Sequence, residues 1–218
     1  MAINGKVFFR LGGTCLLLAV LAGCYKATVP NKPAGFLDNY ESLRPVDNDI
    51  GTLYFENNAA AWNSYHSIIM DPIGLHYIPE ARERDLDQDK MRKLGEYFRN
   101  AMIEAVEDKY TIVDESGHGV MHLRAAITDA KPTNVAANIV SKTLIYVPVD
   151  MGEAAIEGEL LDSVTGERLA AIVDRKVGSL FSPSLGYMTW GHVKDAFRSW
   201  AHQLRDVLDR KPQYPRKT

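Results

Sequence analysis

The histidines are the first residues to test for metal or acid–base chemistry, because imidazole ligates metals and titrates near neutral pH. His118 and His122 stand four residues apart, but the glycines on both sides of His118 predict a turn that leads into a strand. Four strand residues span about 13 Å, too far for both rings to reach one ion. His192 and His202 are ten apart on a predicted helix and would be separated by about 15 Å along its axis. We therefore expect no histidine metal site.

Four acidic residues have the spacing of a calcium-binding loop. Asp85, Asp87, Asp89 and Glu96 occupy its positions 1, 3, 5 and 12, but Lys90 stands where the loop needs a glycine for its sharp turn. The helical pattern also begins inside this stretch, and acidic residues are expected at a helix start because they oppose the positive end of its dipole. We interpret them as the start of a helix, with no metal.

Other carboxylates could act in hydrolysis. Asp162 and Glu167 flank a hairpin turn, where turn formation explains them better than paired catalysis. Asp71 and Asp114 interrupt or end predicted strands, and a cleft beside them stays an open alternative. The chain has no Gly-x-Ser-x-Gly elbow and no glycine-rich run that ends in Gly-Lys-Ser/Thr. We expect no enzymatic activity and no non-covalent cofactor.

Cys24 has the most definite context for chemistry. Lys6 and Arg10 precede an almost entirely apolar run from Leu11 to Ala22, whose length suits a signal peptide and falls short of the about 20 residues of a membrane span. The run ends in Leu21-Ala22-Gly23-Cys24, which resembles the lipobox of bacterial lipoproteins. The resemblance implies cleavage between Gly23 and Cys24 and a covalent lipid on Cys24.

The predicted lipid indicates the location of the protein in the cell. Acyl chains on one residue anchor firmly, because each buried methylene contributes about 0.8 kcal/mol and two chains already suffice. Tyr25 follows the lipidated residue, where an aspartate would resemble an inner-membrane retention signal. We expect a protein anchored in the outer membrane on its periplasmic face.

Composition excludes several classes of function. Removal of residues 1–23 takes away Lys6 and Arg10 from 25 basic residues and leaves 23 against 28 acidic ones, so nothing forms a basic footprint for nucleic acid. Cys15 leaves with the signal peptide and Cys24 is consumed by lipid. The mature chain is therefore predicted to have no disulfide, no zinc–thiolate site and no cysteine nucleophile.

The apolar periodicity predicts one α+β domain over residues 36–218, after a lipidated tether over residues 24–35 that is polar and rich in proline. Apolar stripes predict long helices over 87–109, capped by Asp85 or Asp87, and over 190–210. We predict an antiparallel or mixed sheet of about five strands with both helices on one face. The five strands are expected at 67–77 (interrupted by Asp71-Pro72), 110–113, 120–129, 154–161 and 168–177. Residues 36–65 are expected to form an irregular wrap.

Residues 132–150 form a candidate interaction surface, because apolar side chains lie between two prolines. Its apolar members include Val135, Ile139, Leu144 and Ile145. The alternative, which is favoured because apolar side chains are usually buried, is that they simply cover the sheet.

The segments AAIEGELLDSVTGERLAAIVDRKVG and WGHVKDAFRSWAHQLRDVL resemble a family of Gram-negative lipoproteins known as domain of unknown function 3313. GFLDNYESLRP, MDPIGLHYI and LRAAITDA fit the same family, so the resemblance spans about residues 35–210. It implies location and fold, and it assigns no catalytic residue.

Three functions follow as hypotheses. The first is a structural, interaction or assembly accessory of the cell envelope, whose partners are the membrane, through the lipid, and a candidate envelope protein. The second is a lipid or small-ligand carrier, which requires an enclosed apolar cavity between helices and sheet. The third is an envelope hydrolase. The sequence leaves the oligomeric state open.

Overall fold

Two long amphipathic helices and a twisted sheet form the domain. The computed structural model describes residues 32–46, 49–134, 152–178 and 189–210. Within these ranges it has eight strands and three α-helices. The strands are β1 (Arg44–Val46), β2 (Asp49–Glu56), β3 (Ser67–Met70), β4 (Gly74–Leu75), β5 (Thr111–Ile112), β6 (Val120–Lys131), β7 (Glu153–Asp162) and β8 (Arg168–Val177). The helices are α1 (Pro79–Arg82), α2 (Gln88–Val106) and α3 (Gly191–Leu208).

The sheet is mixed, with the order β1-β2-β8-β7-β6-β3-β5, and β4 pairs with β6 beyond β3. The pairs β1–β2, β2–β8, β8–β7 and β7–β6 are antiparallel, whereas β3 and β4 run parallel to β6 and β5 runs parallel to β3. The longest strands, β6, β7 and β8, lie next to one another in the sheet, and a hairpin turn connects β7 to β8.

The helices α2 and α3 lie side by side on one face of the sheet and run in the same direction. The ring of Phe98 in α2 stacks on that of Phe197 in α3 with centroids 4.6 Å apart. Near the C-terminal ends of both helices, the Arg205 side chain donates to the carbonyl of Ala105. Their apolar stripes bury a core with alternate residues of the sheet, such as Ile156. We call this side of the sheet the helix face.

The opposite side of the sheet is covered by residues 32–43, which we call the N-terminal strap. Leu37 and Leu43 of the strap are buried against Ala171 and Val173 of β8. Because side chains alternate along a strand, the odd-numbered residues of β7 and, from Ala170 onward, of β8 face the strap while the even-numbered ones face the helices. The register of the two strands shifts just before Ala170, so that Arg168 faces the strap and Leu169 faces the helices. We call this second side the strap face.

A bulge in β6 changes which residues reach each side. The register with β7 shifts between Ile127 and Asp129. Because one extra residue moves the alternation by one position, Ile127 faces the helices whereas Asp129 faces the strap side. The end of β6 thereby presents the Asp129 carboxylate to the strap side of the sheet instead of to the helix face.

The predicted fold class is confirmed: the domain is α+β, and both long helices lie on one face of a mixed sheet. The structure settles the open choice of cap, since the Asp87 side chain accepts from the backbone N–H of Lys90 at the start of α2. The strand interrupted by Asp71-Pro72 is divided into β3 and β4, both on the same edge of β6.

The strand count is higher than the predicted five, because the predicted strand at 67–77 is divided into two and residues 36–65 are not an irregular wrap throughout. They contain β1 and β2, and β2 pairs with β8 through Leu53–Val173 and its neighbours. Glycine and aspartate at the start of β2 hide its alternation, and pairing with a strand more than 100 residues away stabilises it. No helix in the described residues is both long and apolar enough to cross a membrane.

Candidate functional site

One buried carboxylate on β7, Glu157, holds the N-terminal strap on the sheet. Its side chain is 0% exposed and accepts four hydrogen bonds from the strap. The backbone N–H of Ala34 donates to Oε1, and those of Phe36 and Leu37 donate to Oε2 at 3.0 and 3.2 Å. The Tyr40 hydroxyl donates to Oε2 at 2.5 Å. Four donors converge on this group, which is how a protein satisfies a buried carboxylate.

Tyr40 ties the strap to itself as well as to the sheet. Its hydroxyl oxygen accepts from the backbone N–H of Gly35 at 2.9 Å and of Leu37 at 3.2 Å while its proton points to Glu157. Burial raises the pKa of Tyr40 to about 12, and the neighbouring Glu157 carboxylate contributes in the same direction. The phenol is therefore a donor at every physiological pH.

A second carboxylate of β7, Glu159, holds the next part of the strap through an arginine. Glu159 is 3% exposed, and it accepts from Arg124 at 2.9 Å and from two nitrogens of Arg168 at 3.0 and 2.8 Å. Arg168 also donates to the backbone carbonyl of Asn39 at 2.7 Å. The strap is thus bound through its N–H groups at Glu157 and through a carbonyl beside Glu159.

A third buried carboxylate, Asp129, lies where the bulge of β6 has turned it to the strap face. It is paired with Arg84, which follows α1, and with Arg175 of β8 at 2.9 Å. Arg175 also reaches Glu153 at 3.1 Å. Removing one member of such a network leaves the other charges buried and unpaired, which is strongly destabilising even where the whole network adds little net stability.

These contacts define what the strap face does chemically. Its carboxylates are engaged by arginines, by backbone N–H groups or by the Tyr40 hydroxyl, and those of Glu157 and Glu159 hold the strap directly or through Arg168. The strap begins eight residues after Cys24, and its first described residue, Lys32, pairs with Glu80 of α1 at 2.8 Å. The last residues of the predicted tether therefore already contact the sheet and α1.

The residues considered for hydrolysis have local structural roles. One Asp162 oxygen accepts from the backbone N–H groups of Val164 and Thr165 at 2.9 and 2.7 Å, as in an Asx turn, and the other accepts from the Tyr65 hydroxyl at 2.8 Å. These bonds, above all the one from Thr165, lower the pKa of Asp162. Glu167 accepts from the side-chain amide of Asn57.

The remaining catalytic candidates lie apart. The Asp71 carboxylate contacts the imidazole of His122, with Oδ1 and Nε2 2.9 Å apart. His118 precedes β6 in the turn, and His192 is buried at the start of α3 while His202 is exposed. Asp114 follows β5. In the part of the chain that the structure describes, no three His, Cys, Asp or Glu side chains are grouped so as to hold a metal ion.

The acidic residues with calcium-loop spacing belong to the start of α2. Asp87 caps the helix, whereas Asp89 and Glu96 pair with Arg92 at 3.7 and 2.6 Å. The helix begins at Gln88, so most of the stretch from Asp85 to Glu96 is helical and does not have the backbone of a calcium-binding loop.

Several predicted site residues lie outside the described ranges. They are the cleavage and lipidation residues Gly23 and Cys24 and the candidate interaction residues Val135, Ile139, Leu144 and Ile145. Their assignments stay predictions.

A small apolar cavity lies between the helix face and the helices. Its volume is about 80 Å³, its floor is formed by small residues such as Gly158 and Ala170, and its roof includes Trp200 and Leu204. Ligand sites are usually several hundred Å³ in volume. A lipid acyl chain does not fit this cavity without rearrangement of the core.

Sequence reasoning missed Glu157 and Glu159. The available clue was that Glu153, Glu157 and Glu159 are all odd-numbered and so share one face of β7. Such a pattern normally indicates a solvent-exposed face, and only the strap, more than 110 residues earlier, shows that the face is covered.

Comparison with known proteins adds relatives in sequence and in structure. An uncharacterized lipoprotein of Escherichia coli (strain K12), YdcL, is 25% identical over 208 residues, which cover 89% of this chain and 93% of YdcL. The PelC dodecamer from Paraburkholderia phytofirmans is 11% identical, with 74% of this chain and 98% of that chain covered and a TM-score of 0.43. Protein XCC0632 from Xanthomonas campestris, of family DUF330, is 10% identical, with 71% and 91% covered and a TM-score of 0.37. Structural similarity of this degree says nothing about what the chain does.

The sequence pattern of the family described as "Protein of unknown function (DUF3313)" matches residues 32–204. That range starts at the first residue of the N-terminal strap and ends inside α3, so it includes every strand of the sheet. This chain therefore belongs to the DUF3313 family.

Proposed function

We propose that this chain is a lipoprotein, anchored by acyl groups on Cys24 in the outer membrane and facing the periplasm, that serves as an interaction or assembly accessory of the cell envelope. The lipobox-like sequence before Cys24 supports the anchor, and so does the relative in Escherichia coli that is called a lipoprotein. In this proposal the protein performs no catalysis and needs no cofactor besides its covalent lipid.

The observation that carries the proposal is the docking of the strap by Glu157. A lipid anchor on a long flexible tether lets a domain turn freely above the membrane. Here the chain is bound to the sheet from Ala34 onward, so only a few residues separate Cys24 from the bound strap. The anchor thereby limits both the height and the orientation of the domain, which suits a protein that works by presenting a surface at a fixed place.

The carrier hypothesis has less support from the described residues. It needs an enclosed apolar cavity, whereas the apolar cavity between the sheet and the helices has a volume of only about 80 Å³. A larger hollow of about 490 Å³ lies beside β4 and the first half of α2, but charged side chains such as Arg92, Glu96 and Arg99 line it. The hydrolase hypothesis needs titratable groups that converge on a cleft, whereas the carboxylates described above are engaged in ion pairs, turns and strap contacts.

In-cell crosslinking of the tagged, lipidated protein, followed by purification and mass spectrometry, tests the proposal. We expect one abundant envelope protein to be captured in higher yield by the lipidated protein than by the control. The control is a soluble periplasmic form in which a cleavable secretory signal replaces residues 1–23 and Cys24→Ala removes the acceptor thiol. If the soluble form captures the same proteins in the same yield, anchoring plays no part in the interaction and the proposal is wrong.

A separate experiment tests the membrane. Density-gradient separation of inner and outer membranes should place the wild-type protein in the outer-membrane fraction. The Tyr25→Asp variant should move to the inner-membrane fraction, because the residue after the lipidated cysteine then resembles a retention signal. Wild-type protein in the inner-membrane fraction would contradict the outer-membrane assignment while leaving lipidation intact.

A further inference from the structure

The strap enters the domain at one particular end of the sheet. Lys32 pairs with Glu80 of α1 at 2.8 Å. The residue before α1, Ile78, donates its backbone N–H to the carbonyl of Thr128 in the last part of β6. The entry point of the chain from the lipid therefore lies where β6 ends and β7 begins.

Two other connections leave from the same end. The backbone N–H of Thr133, just after β6, donates to the carbonyl of Thr189 at 2.7 Å, close to the start of α3. Gly178, just after β8, donates to the carbonyl of Gly152 at 3.0 Å, just before β7. The described residues that flank 135–151 and 179–188 thus meet beside the strap entry. We call this the anchor end, and the opposite end, with the Asp162–Glu167 turn, the hairpin end.

The length of the tether restricts which end can approach the bilayer. Eight residue steps separate Cys24 from Lys32, so the chain reaches at most about 28 Å when fully extended and about 16 Å on average as a flexible coil. The ten residues of β7 hold the hairpin end about 30 Å from the anchor end. If the hairpin end lay on the bilayer, Lys32 would stand about 30 Å from it, which takes the full extension of the tether and is almost twice its average reach.

We propose that the anchor end faces the phospholipid surface and that the hairpin end points away from it, toward partners in the periplasm. The inference rests on the lipidation of Cys24 in the proposed function. The occupant of the anchor end is the bilayer that holds the acyl chains. Val177, at the end of β8, is 53% exposed there, an apolar side chain that a membrane surface would cover.

Two exposed valines at opposite ends provide a matched test. Val177 is at the anchor end, whereas Val164, 66% exposed, is in the hairpin turn. The lipidated mature chain has no other free thiol if Cys24 is acylated, so Val177→Cys and Val164→Cys each accept one donor fluorophore. The labelled proteins are inserted into preformed vesicles of phosphatidylethanolamine and phosphatidylglycerol that carry an acceptor fluorophore on the lipid headgroups.

We expect higher energy-transfer efficiency from position 177 than from position 164, corresponding to a difference in height of about 30 Å. Equal efficiencies would mean that the domain lies on its side or turns freely, and higher efficiency from position 164 would mean the reverse orientation. Either result overturns the inference. Flotation of the same vesicles separates this from failure of the anchor: protein that does not float contradicts the proposed lipidation, whereas protein that floats with equal efficiencies contradicts only the orientation.

Discussion

Replacement of Glu157 by glutamine is the sharpest test of how the strap is held. Glu157→Gln keeps the size of the side chain but exchanges one carboxylate oxygen for an NH₂ group. Oε1 faces the backbone N–H of Ala34, and Oε2 faces three donors from Phe36, Leu37 and Tyr40. In either orientation of the amide, its NH₂ group points at a donor and at least one hydrogen bond is lost.

The size of the effect follows from these four contacts. If the remaining oxygen keeps the three donors at Oε2, one charge-assisted bond is lost, at about 1.5–3 kcal/mol, and three others become weaker neutral bonds. Part of this loss is offset because a neutral amide is easier to bury than a carboxylate. We expect the strap to be destabilised by about 2–4 kcal/mol. The loss in the free energy of unfolding cannot exceed the free energy with which the strap docks on the sheet. Once the strap is released, its N–H groups form hydrogen bonds with water instead.

Two measurements on the soluble mature chain report this change. Hydrogen exchange should show faster exchange of the strap amides at residues 34–37, by a factor of about 30 to 900 for the expected energies. Urea unfolding should show a lower free energy of unfolding. Glu153→Gln is the matched control for exchange of the strap amides, because Glu153 lies on the same face of the same strand but is bonded to Arg175 and not to the strap.

The reasoning would be refuted by a loss of less than about 0.5 kcal/mol with unchanged protection of residues 34–37, since surface substitutions commonly have effects of that size. Equal effects of Glu157→Gln and Glu153→Gln on strap exchange would also refute it. In that case the apolar contacts of the strap alone hold it in place.

Three further predictions concern stability. Gly158→Ala should raise the free energy of unfolding by about 0.4–1 kcal/mol, because the new Cβ fits beside the small cavity, 3.5 Å from the nearest side chain, and reduces the conformational freedom of the unfolded chain. Gly119→Ala should lower the free energy of unfolding, because Gly119 has a φ of +72° and a new Cβ would lie 2.7 Å from a backbone oxygen. Chemical denaturation compares the two variants. The pKa of Tyr40 is raised to about 12 from 10.0, so its contribution to stability is present below pH 10 and is lost as the pH rises to 12; denaturation over this range should show a smaller pH dependence for Tyr40→Phe, and an unchanged slope would contradict the assignment. Hydrogen bonds, first from Lys109, lower the pKa of Asp209 to about 2 from 3.8, so its contribution is present above pH 4 and is lost as the pH falls to 2; Asp209→Asn should flatten the acid part of the stability curve, and identical curves would count against the ion pair.

The sequence predicts those elements whose pattern is complete within one segment. The helices α2 and α3 begin and end within three residues of the predicted bounds, because an apolar stripe and its caps are local features. The β7–β8 hairpin is equally local, and Gly166 in its turn has a positive φ of +72°, which glycine adopts without strain. Helix stripes also predict that one side of each helix is buried, which places both on the same sheet.

The strands that the sequence did not predict depend on distant partners. β2 is stabilised by pairing with β8 through residues such as Leu53 and Val173, and within the described ranges β1 pairs with β2 alone. Neither strand has a long alternating pattern of its own. Their existence follows from an edge that β8 offers once the hairpin has formed, and no window of 10 residues contains that information.

The candidate site is hidden for a related reason. A glutamate in a strand is normally interpreted as a solvent-exposed residue, because an unpaired buried carboxylate is costly. Glu157 is fully buried only because strap donors more than 110 residues away in sequence converge on it. The sequence of β7 contains the acceptor, the sequence of the strap contains the donors, and only the folded topology joins them.

A carboxylate at position 157 fixes the register of the strap on the sheet more strictly than an apolar residue there would. Leu37 and Leu43 already bury apolar surface against β8, and apolar contacts of this kind tolerate displacement along a sheet. The N–H groups of Ala34, Phe36 and Leu37 can all reach one carboxylate only in a single register of the strap. Buried polar groups often contribute little net stability, and their best-attested role is to fix register. If Glu157 has that role, it determines how many residues separate the sheet from Cys24, and hence how far above its lipid the domain is held.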